Sequence, residues 1–281
     1  MNIGIAGLGL IGASLAKSVK LNTGFCVFGT DIAQDTVLKA RMFDTIDEEL
    51  NEENIAFCDY LLIALYPKDA IDYVRQNAAH IKKGAVVIDC CGIKQAIVEA
   101  LAPIAKQYGF TFIGGHPMAG RAHSGFDHSS ASIFEKATMI LTPEAETDIQ
   151  TLKCIKDFFL KLGFVKVILT TPEVHDHVIA HTSQLAHVLS SAYVKTTPTD
   201  ELLFTGGSYA DMTRVASMNE EMWSELFLLN GDQLTLEIDD LIRRLKEYSA
   251  IIKKNDTAAL RQLLREGTQR KAQIEKNQLE R

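Results

Sequence analysis

Gly7-Leu8-Gly9-Leu10-Ile11-Gly12, with Asp31 nineteen positions after the last glycine, constrains the fold of this chain more than any other feature. Asn2–Ala6 reads as a buried strand and Ala13–Leu21 as the helix after it. Each glycine then has a mechanical task. Gly7 permits a tight strand-to-helix turn, Gly9 lets backbone approach a pyrophosphate, and Gly12 lets the helix pack close to the strand. The pyrophosphate would sit on the helix N-terminus, where unpaired N–H groups and the helix dipole favour negative charge. Cys26–Thr30 reads as a second strand that delivers Asp31 to the adenosine ribose. The expected cofactor contacts are Gly7, Gly9, Leu10, Ile11, Gly12 and Asp31, together with Leu65 at the end of a later strand run. A carboxylate that grips a ribose diol repels a 2′-phosphate, and no arginine follows it in Ile32–Thr36, so the cofactor is expected to be NAD rather than NADP.

Further apolar runs alternate with helical stretches. Tyr60–Leu65, Ala85–Cys90, Phe110–Gly115, Ala137–Leu141 and Phe164–Leu169 read as strands, and Lys68–Ile81, Lys94–Tyr108 and Thr147–Leu162 as helices. Near-continuous apolar strands between helices indicate a mostly parallel sheet covered on both faces. From Thr171 the period changes. Pro172 opens a long helical stretch with Thr171 as its N-cap. Leu234, Ile238, Leu241, Leu245, Tyr248 and Ile252 then recur at helical spacing, and Asn255-Asp256 breaks that helix before a last one from Thr257. The fold class is therefore α/β: a Rossmann-type domain over residues 1–170, then an all-helical domain over residues 171–281 whose helices can pack between subunits.

A formal charge of −7 and a pI of about 5.6 argue against nucleic acid as a partner. An anionic substrate would have to be held by local cations against the field of the whole protein. The five cysteines lack metal-ligand spacing, and Cys90 and Cys91 are adjacent. They read as small apolar residues of a reducing compartment, so the expected location is cytoplasmic, with no signal peptide and no membrane-spanning run.

Three segments carry candidate chemistry. In Phe110–Gly125 a strand ends in two glycines and His116, beyond the carboxyl end of the strand, where a nicotinamide would reach. A neutral imidazole there can take a hydroxyl proton as hydride leaves the same carbon, although on position alone a loop histidine bonded to backbone competes with that role. The helix from Pro172 carries His175, His177, His181 and His187, with His177, His181 and Gln184 expected on one face. No HExxH glutamate or cysteine pair supports a zinc site, and the expectation is no metal. In Leu203–Trp223, Gly206-Gly207 makes a turn, and a helix starting within Asp211–Val215 presents Arg214. That guanidinium suits bidentate capture of a carboxylate, or else pairs with Asp211 or Glu221.

Together these segments resemble the prephenate and arogenate dehydrogenase family of tyrosine biosynthesis. The resemblance runs through GLGLIG with Asp31, DCCGIK at Asp89–Lys94, GGHPMAG…SG at Gly114–Gly125, HDxxxAxxSQLxH at His175–His187 and GGSYxDMTR at Gly206–Arg214. It implies that His116 is the catalytic histidine, that His187 lines the substrate pocket and that Arg214 binds a substrate carboxylate. It also implies oxidative decarboxylation of prephenate to 4-hydroxyphenylpyruvate with reduction of NAD, or of arogenate to tyrosine, by a dimer joined through its C-terminal helices. Better-known members carry serine at the position of Gly92, so Ser124, a water or a backbone N–H would have to replace that hydroxyl. Arg121 and Ala122 also differ from some members.

Overall fold

The computed structural model describes residues 1–121, 123–196 and 205–279. Its framework is an eight-stranded sheet in the order β3-β2-β1-β4-β5-β6-β7-β8. The strands are β1 Asn2–Ala6, β2 Cys26–Thr30, β3 Glu48–Glu49, β4 Tyr60–Ile63, β5 Val86–Asp89, β6 Thr111–Pro117, β7 Thr138–Thr142 and β8 Lys166–Leu169. Every pairing is parallel except β6 with β7. The strand order reverses between β1 and β4, and in an open parallel sheet the crevice at such a reversal is where a dinucleotide binds.

Side-chain alternation builds a core on each face. Ile3, Ile5, Leu62 and Ile88 point to one, beneath α1 (Leu10–Asn22) and α5 (Ile149–Lys161). Ala6, Leu61, Ile63 and Val87 point to the other, beneath α3 (Pro67–Asn77) and α4 (Gln95–Tyr108). This is the two-sided burial expected of apolar parallel strands. The run at Tyr60 ends at Ile63, so Leu65 lies in the loop beyond the strand. Two elements were not anticipated. The helix α2, Gln34–Met42, buries only Val37 and Ala40, and β3 is a two-residue edge strand of glutamates.

Beyond the sheet, Thr171 caps α6 (Pro172–Ile179) by accepting from the Val174 N–H at 3.3 Å. A π-helical turn, Ala180–Gln184, joins α6 to α7 (Leu185–Lys195). The extra residue in that turn rotates α7 about the helix axis. It overturns the expected shared face: His177 and His181 are exposed, whereas Gln184 is buried. The next helix, α8, runs Gly207–Thr213, so it starts at the glycine pair and Arg214 stands just past its end. Ala122, Leu203 and Phe204 lie outside the described residues. Helix α9, Glu220–Leu229, closes the first compact unit, Met1–Gly231.

The second unit is Asp232–Arg281. It contains most of α10 (Gly231–Lys253) and α11 (Thr257–Leu279). Asn255 between them takes φ 51°, and Asp256 accepts from the Ala259 N–H at 3.0 Å to start α11. Leu245, Ile252, Leu264 and Ile274 remain exposed on these helices. Among the described residues, no helix is long and apolar enough to cross a membrane.

Candidate active site

The glycine loop forms a cradle that admits only glycine at two of its positions, Gly7 and Gly12. Gly7 has φ +88°, and a Cβ there would lie 2.5 Å from the Ala64 carbonyl oxygen. A Cβ on Gly12 would stand 1.8 Å from the Gly7 carbonyl oxygen, so the first turn of α1 presses directly on the loop. Gly9 is the N-cap residue of α1, and the space where its Cβ would sit is open. Open backbone at a helix N-terminus is what a pyrophosphate needs. Leu10, Ile11 and Leu65 are partly exposed around this opening. Asp31 is anchored more firmly than a ribose contact alone would require. One carboxylate oxygen accepts from the Leu8 N–H at 2.8 Å and the other from the Ala33 N–H at 3.0 Å. A carboxylate has about four lone-pair sites, so capacity for a ribose diol remains. The residues present therefore fit a dinucleotide.

His116 stands on β6 just where the pairing changes partner. Val86–Ile88 pair with Thr111–Ile113, whereas Gly114–Pro117 pair with β7. Past Ile113 the Asp89 carboxylate takes over from the ladder, accepting from the Gly115 N–H at 3.1 Å. The same carboxylate accepts from the Cys91 N–H at 3.0 Å and pairs with the Lys94 ammonium, both side chains fully buried. Gly115 has no room for a side chain, since a Cβ would approach the Asp89 carbonyl oxygen to 2.4 Å. The loop after His116 is tied to α1 as well: Lys17 donates to Ser129, and the Ser130 N–H donates to Ser14 Oγ at 3.0 Å. Strand, loop and cradle are thus one fastened assembly.

His116 Nδ1 lies 2.9 Å from His175 Nε2, and His175 Nδ1 lies 2.7 Å from Asp176 Oδ1. Asp176 also accepts from the Lys94 and Gln95 N–H groups, each at 2.8 Å, so it caps the start of α4 from another helix. Its own carbonyl accepts from Asn230 Nδ2 at 3.0 Å, and that amide bonds Gln184 Oε1 at 2.7 Å. Gln184 in turn donates to the Leu226 carbonyl at 3.1 Å, which secures α9. Burial, then the neighbouring His175 ring, then the Lys94 ammonium hold the His116 pKa well below the usual 6.5. Burial likewise lowers the His175 pKa against the opposing pull of its hydrogen bond to Asp176. Both rings are therefore neutral near pH 7. Sequence reasoning singled out His116 but missed His175, Asp176, Asp89 and Lys94 as its supports. The adjacent His175-Asp176 pair was the available signal.

The other expected substrate residues divide. His187 is partly buried, bonds the Ser183 carbonyl through Nδ1 at 2.9 Å, and packs against Trp223 with ring centroids 3.9 Å apart and the planes tilted by 30°. Arg214 is exposed and, among the described residues, forms no ion pair with Asp211 or Glu221, which removes the intrahelical alternative. Ser124 is exposed and makes no hydrogen bond to His116. At Gly92 a Cβ would meet only Leu226, at 3.4 and 3.5 Å, so the backbone there tolerates a side chain.

A glycine cradle tied through one loop to a supported neutral histidine at the carboxyl end of a sheet strand is the arrangement of a nicotinamide-dependent dehydrogenase. Family comparison sharpens this. Residues 15–169 match the family "Prephenate dehydrogenase, nucleotide-binding domain", and residues 171–266 match "Prephenate dehydrogenase, dimerization domain". The chain belongs to the prephenate dehydrogenase family. It is 30% identical over 267 residues to the prephenate dehydrogenase of Bacillus subtilis, covering 91% of this chain and 71% of that one. It superposes on the crystal structure of prephenate dehydrogenase from Aquifex aeolicus in complex with hydroxyphenyl propionate and NAD+ with a TM-score of 0.84, at 28% identity and with 98% of each chain covered. The Synechocystis arogenate dehydrogenase crystal structure gives a TM-score of 0.83 at 27% identity, covering 98% of this chain and all of that one.

Proposed function

We infer that this protein is an NAD-dependent prephenate dehydrogenase that converts prephenate to 4-hydroxyphenylpyruvate by oxidative decarboxylation. The observation that carries the inference is His116 at the C-terminal end of β6, neutral and fastened to the glycine cradle through its own loop. Bound NAD supplies the hydride acceptor. His116 takes the proton of the C4 hydroxyl, so that the electrons of the C4–H bond can leave as hydride. The ring carboxylate departs as carbon dioxide, and aromaticity makes the step irreversible. Arg214, a cation without an ion pair among the described residues, is suited to hold a substrate carboxylate against a net charge of −7. His187 and Trp223, packed against each other, offer an aromatic surface suited to a six-membered ring. With Gly92 in place of the family's serine, hydrogen bonding to the hydroxyl falls to His116 with Ser124, a water or a backbone N–H.

A boundary near residue 170 separates the cofactor domain from the helical domain, supported by the division of the two family matches. The match to a dimerization domain and the exposed apolar residues of α10 and α11 support a homodimer through the C-terminal helices. Five free thiols support a cytoplasmic setting. Arogenate is the second substrate reading, favoured by the full-length likeness to the Synechocystis enzyme. NADH absorbance in steady-state assays with prephenate, arogenate and a panel of β-hydroxyacids tests the assignment, with NAD and NADP each supplied. The highest kcat/KM is expected for prephenate with NAD. A preference for arogenate replaces the substrate, and turnover of hydroxyacids alone overturns the reading.

A further inference from the structure

We propose that His175 and Asp176 are positioning residues that fix the tautomer of His116, keeping its proton on Nδ1 and its lone pair on Nε2. The proposal rests on the reading of His116 as the base and adds which nitrogen acts and why.

The assignment comes from counting donors inward from the carboxylate. Asp176 accepts at both oxygens from the N–H groups of Lys94 and Gln95, so it faces His175 as an acceptor. His175 Nδ1, 2.7 Å away, must then carry a hydrogen. A neutral imidazole carries only one, so His175 Nε2 is an acceptor. His116 Nδ1 lies 2.9 Å from that nitrogen and must be the donor. By elimination His116 Nε2 is bare. A protonated His175 would reverse the outer link: its Nε2 would donate, His116 Nδ1 would accept, and the hydrogen of His116 would sit on Nε2, where the base is needed. The surroundings disfavour that state. His175 is buried, and the groups facing the two rings are Asp176 on α6, Lys94 at the start of α4 and its partner Asp89 on β5. The Lys94 ammonium opposes a second positive charge on either ring.

The same chain serves the proton after transfer. The substrate O–H bond breaks, an N–H bond forms at His116 Nε2, and His116 becomes an imidazolium. Its Nδ1–H already points at His175 Nε2, so the new charge is shared inward toward the Asp176 carboxylate. The proton returns to solvent from Nε2 once product has left. This is the logic of a carboxylate that orients an imidazole, with one extra ring between carboxylate and base.

The direct test is long-range 1H–15N correlation on protein labelled with 15N-histidine at pH 7.5, with His116 assigned by the resonances lost in His116→Asn. The Nδ1–H tautomer is expected. The Nε2–H tautomer in the wild-type protein overturns the proposal whatever the kinetics show. In His175→Phe the acceptor is gone, and kcat should fall about 10²–10⁴-fold while the NAD Kd stays within about threefold. His175→Gln, whose carbonyl can accept from His116 Nδ1, should recover at least about tenfold of that loss. Turnover of His175→Phe within about threefold of wild type also overturns the proposal. Failure of the base reading itself registers separately, as undiminished turnover in His116→Asn. Asp176 is left intact because it also caps α4.

Discussion

Replacing Lys94 with methionine separates two jobs that one buried ammonium performs. Lys94 and Asp89 are both inaccessible to solvent and paired with each other. Methionine keeps the volume and removes the charge, which leaves Asp89 buried without a cation and held by the Gly115 and Cys91 N–H groups. Breaking one side of a buried ion pair costs about 3–5 kcal/mol. The two surviving N–H donors place this case near the lower end, at about 3 kcal/mol. Trp223 is the chain's one tryptophan, so urea unfolding at fixed protein concentration can be followed by its fluorescence. Asp89→Asn with Lys94→Met removes both charges while an amide oxygen still meets the Gly115 N–H, and should recover at least about half of the lost stability. The second consequence is electrostatic. The ammonium depresses the pKa of both His116 and His175, so its loss should move the acid limb of kcat/KM to higher pH. A single variant within about 1 kcal/mol of wild type, with an unmoved acid limb, would refute this account of the pair.

Because neutral His116 is the acceptor and its pKa is held below 6.5, kcat/KM should stay level from pH 7.5 down past 6.5 and fall only at lower pH. The unfolded chain binds these protons at higher pH than the folded one does. Stability should therefore also decline as pH falls below about 6.5, and an acid limb above that value contradicts the burial argument. Asp31→Ser should shift cofactor preference toward NADP, measured as the ratio of kcat/KM values, because the carboxylate that repels a 2′-phosphate is gone; an unchanged ratio removes Asp31 from selection. Arg214→Ala should raise the prephenate KM by about 10–100-fold, the worth of one charge-assisted hydrogen bond, and an unchanged KM shows that another group holds the carboxylate.

The parallel sheet was legible because apolar strands buried on both faces have few alternative readings. The glycine loop was legible because its spacing answers to steric limits that the built contacts at Gly7 and Gly12 bear out. Helix α2 escaped notice because a mostly solvated helix leaves little periodicity, and β3 because two residues carry no pattern. The supports of His116 were hidden for a different reason. Lys94 and Asp176 look like surface charges in a sequence, and only the packing of α6 on the start of α4 buries them together. The π-turn at Ala180–Gln184 likewise defeats any reading at 3.6 residues per turn, which is why the face assigned to His177, His181 and Gln184 did not hold.

The central claim is that the His116 imidazole accepts the substrate hydroxyl proton. His116→Asn retains polarity and approximate size but has no basic nitrogen. Measured by NADH formation with saturating prephenate and NAD, the variant should lose about 10²–10⁴-fold in kcat while its NAD Kd, from equilibrium titration, stays within about twofold of wild type. Turnover within a few-fold of wild type at unchanged NAD affinity would contradict it.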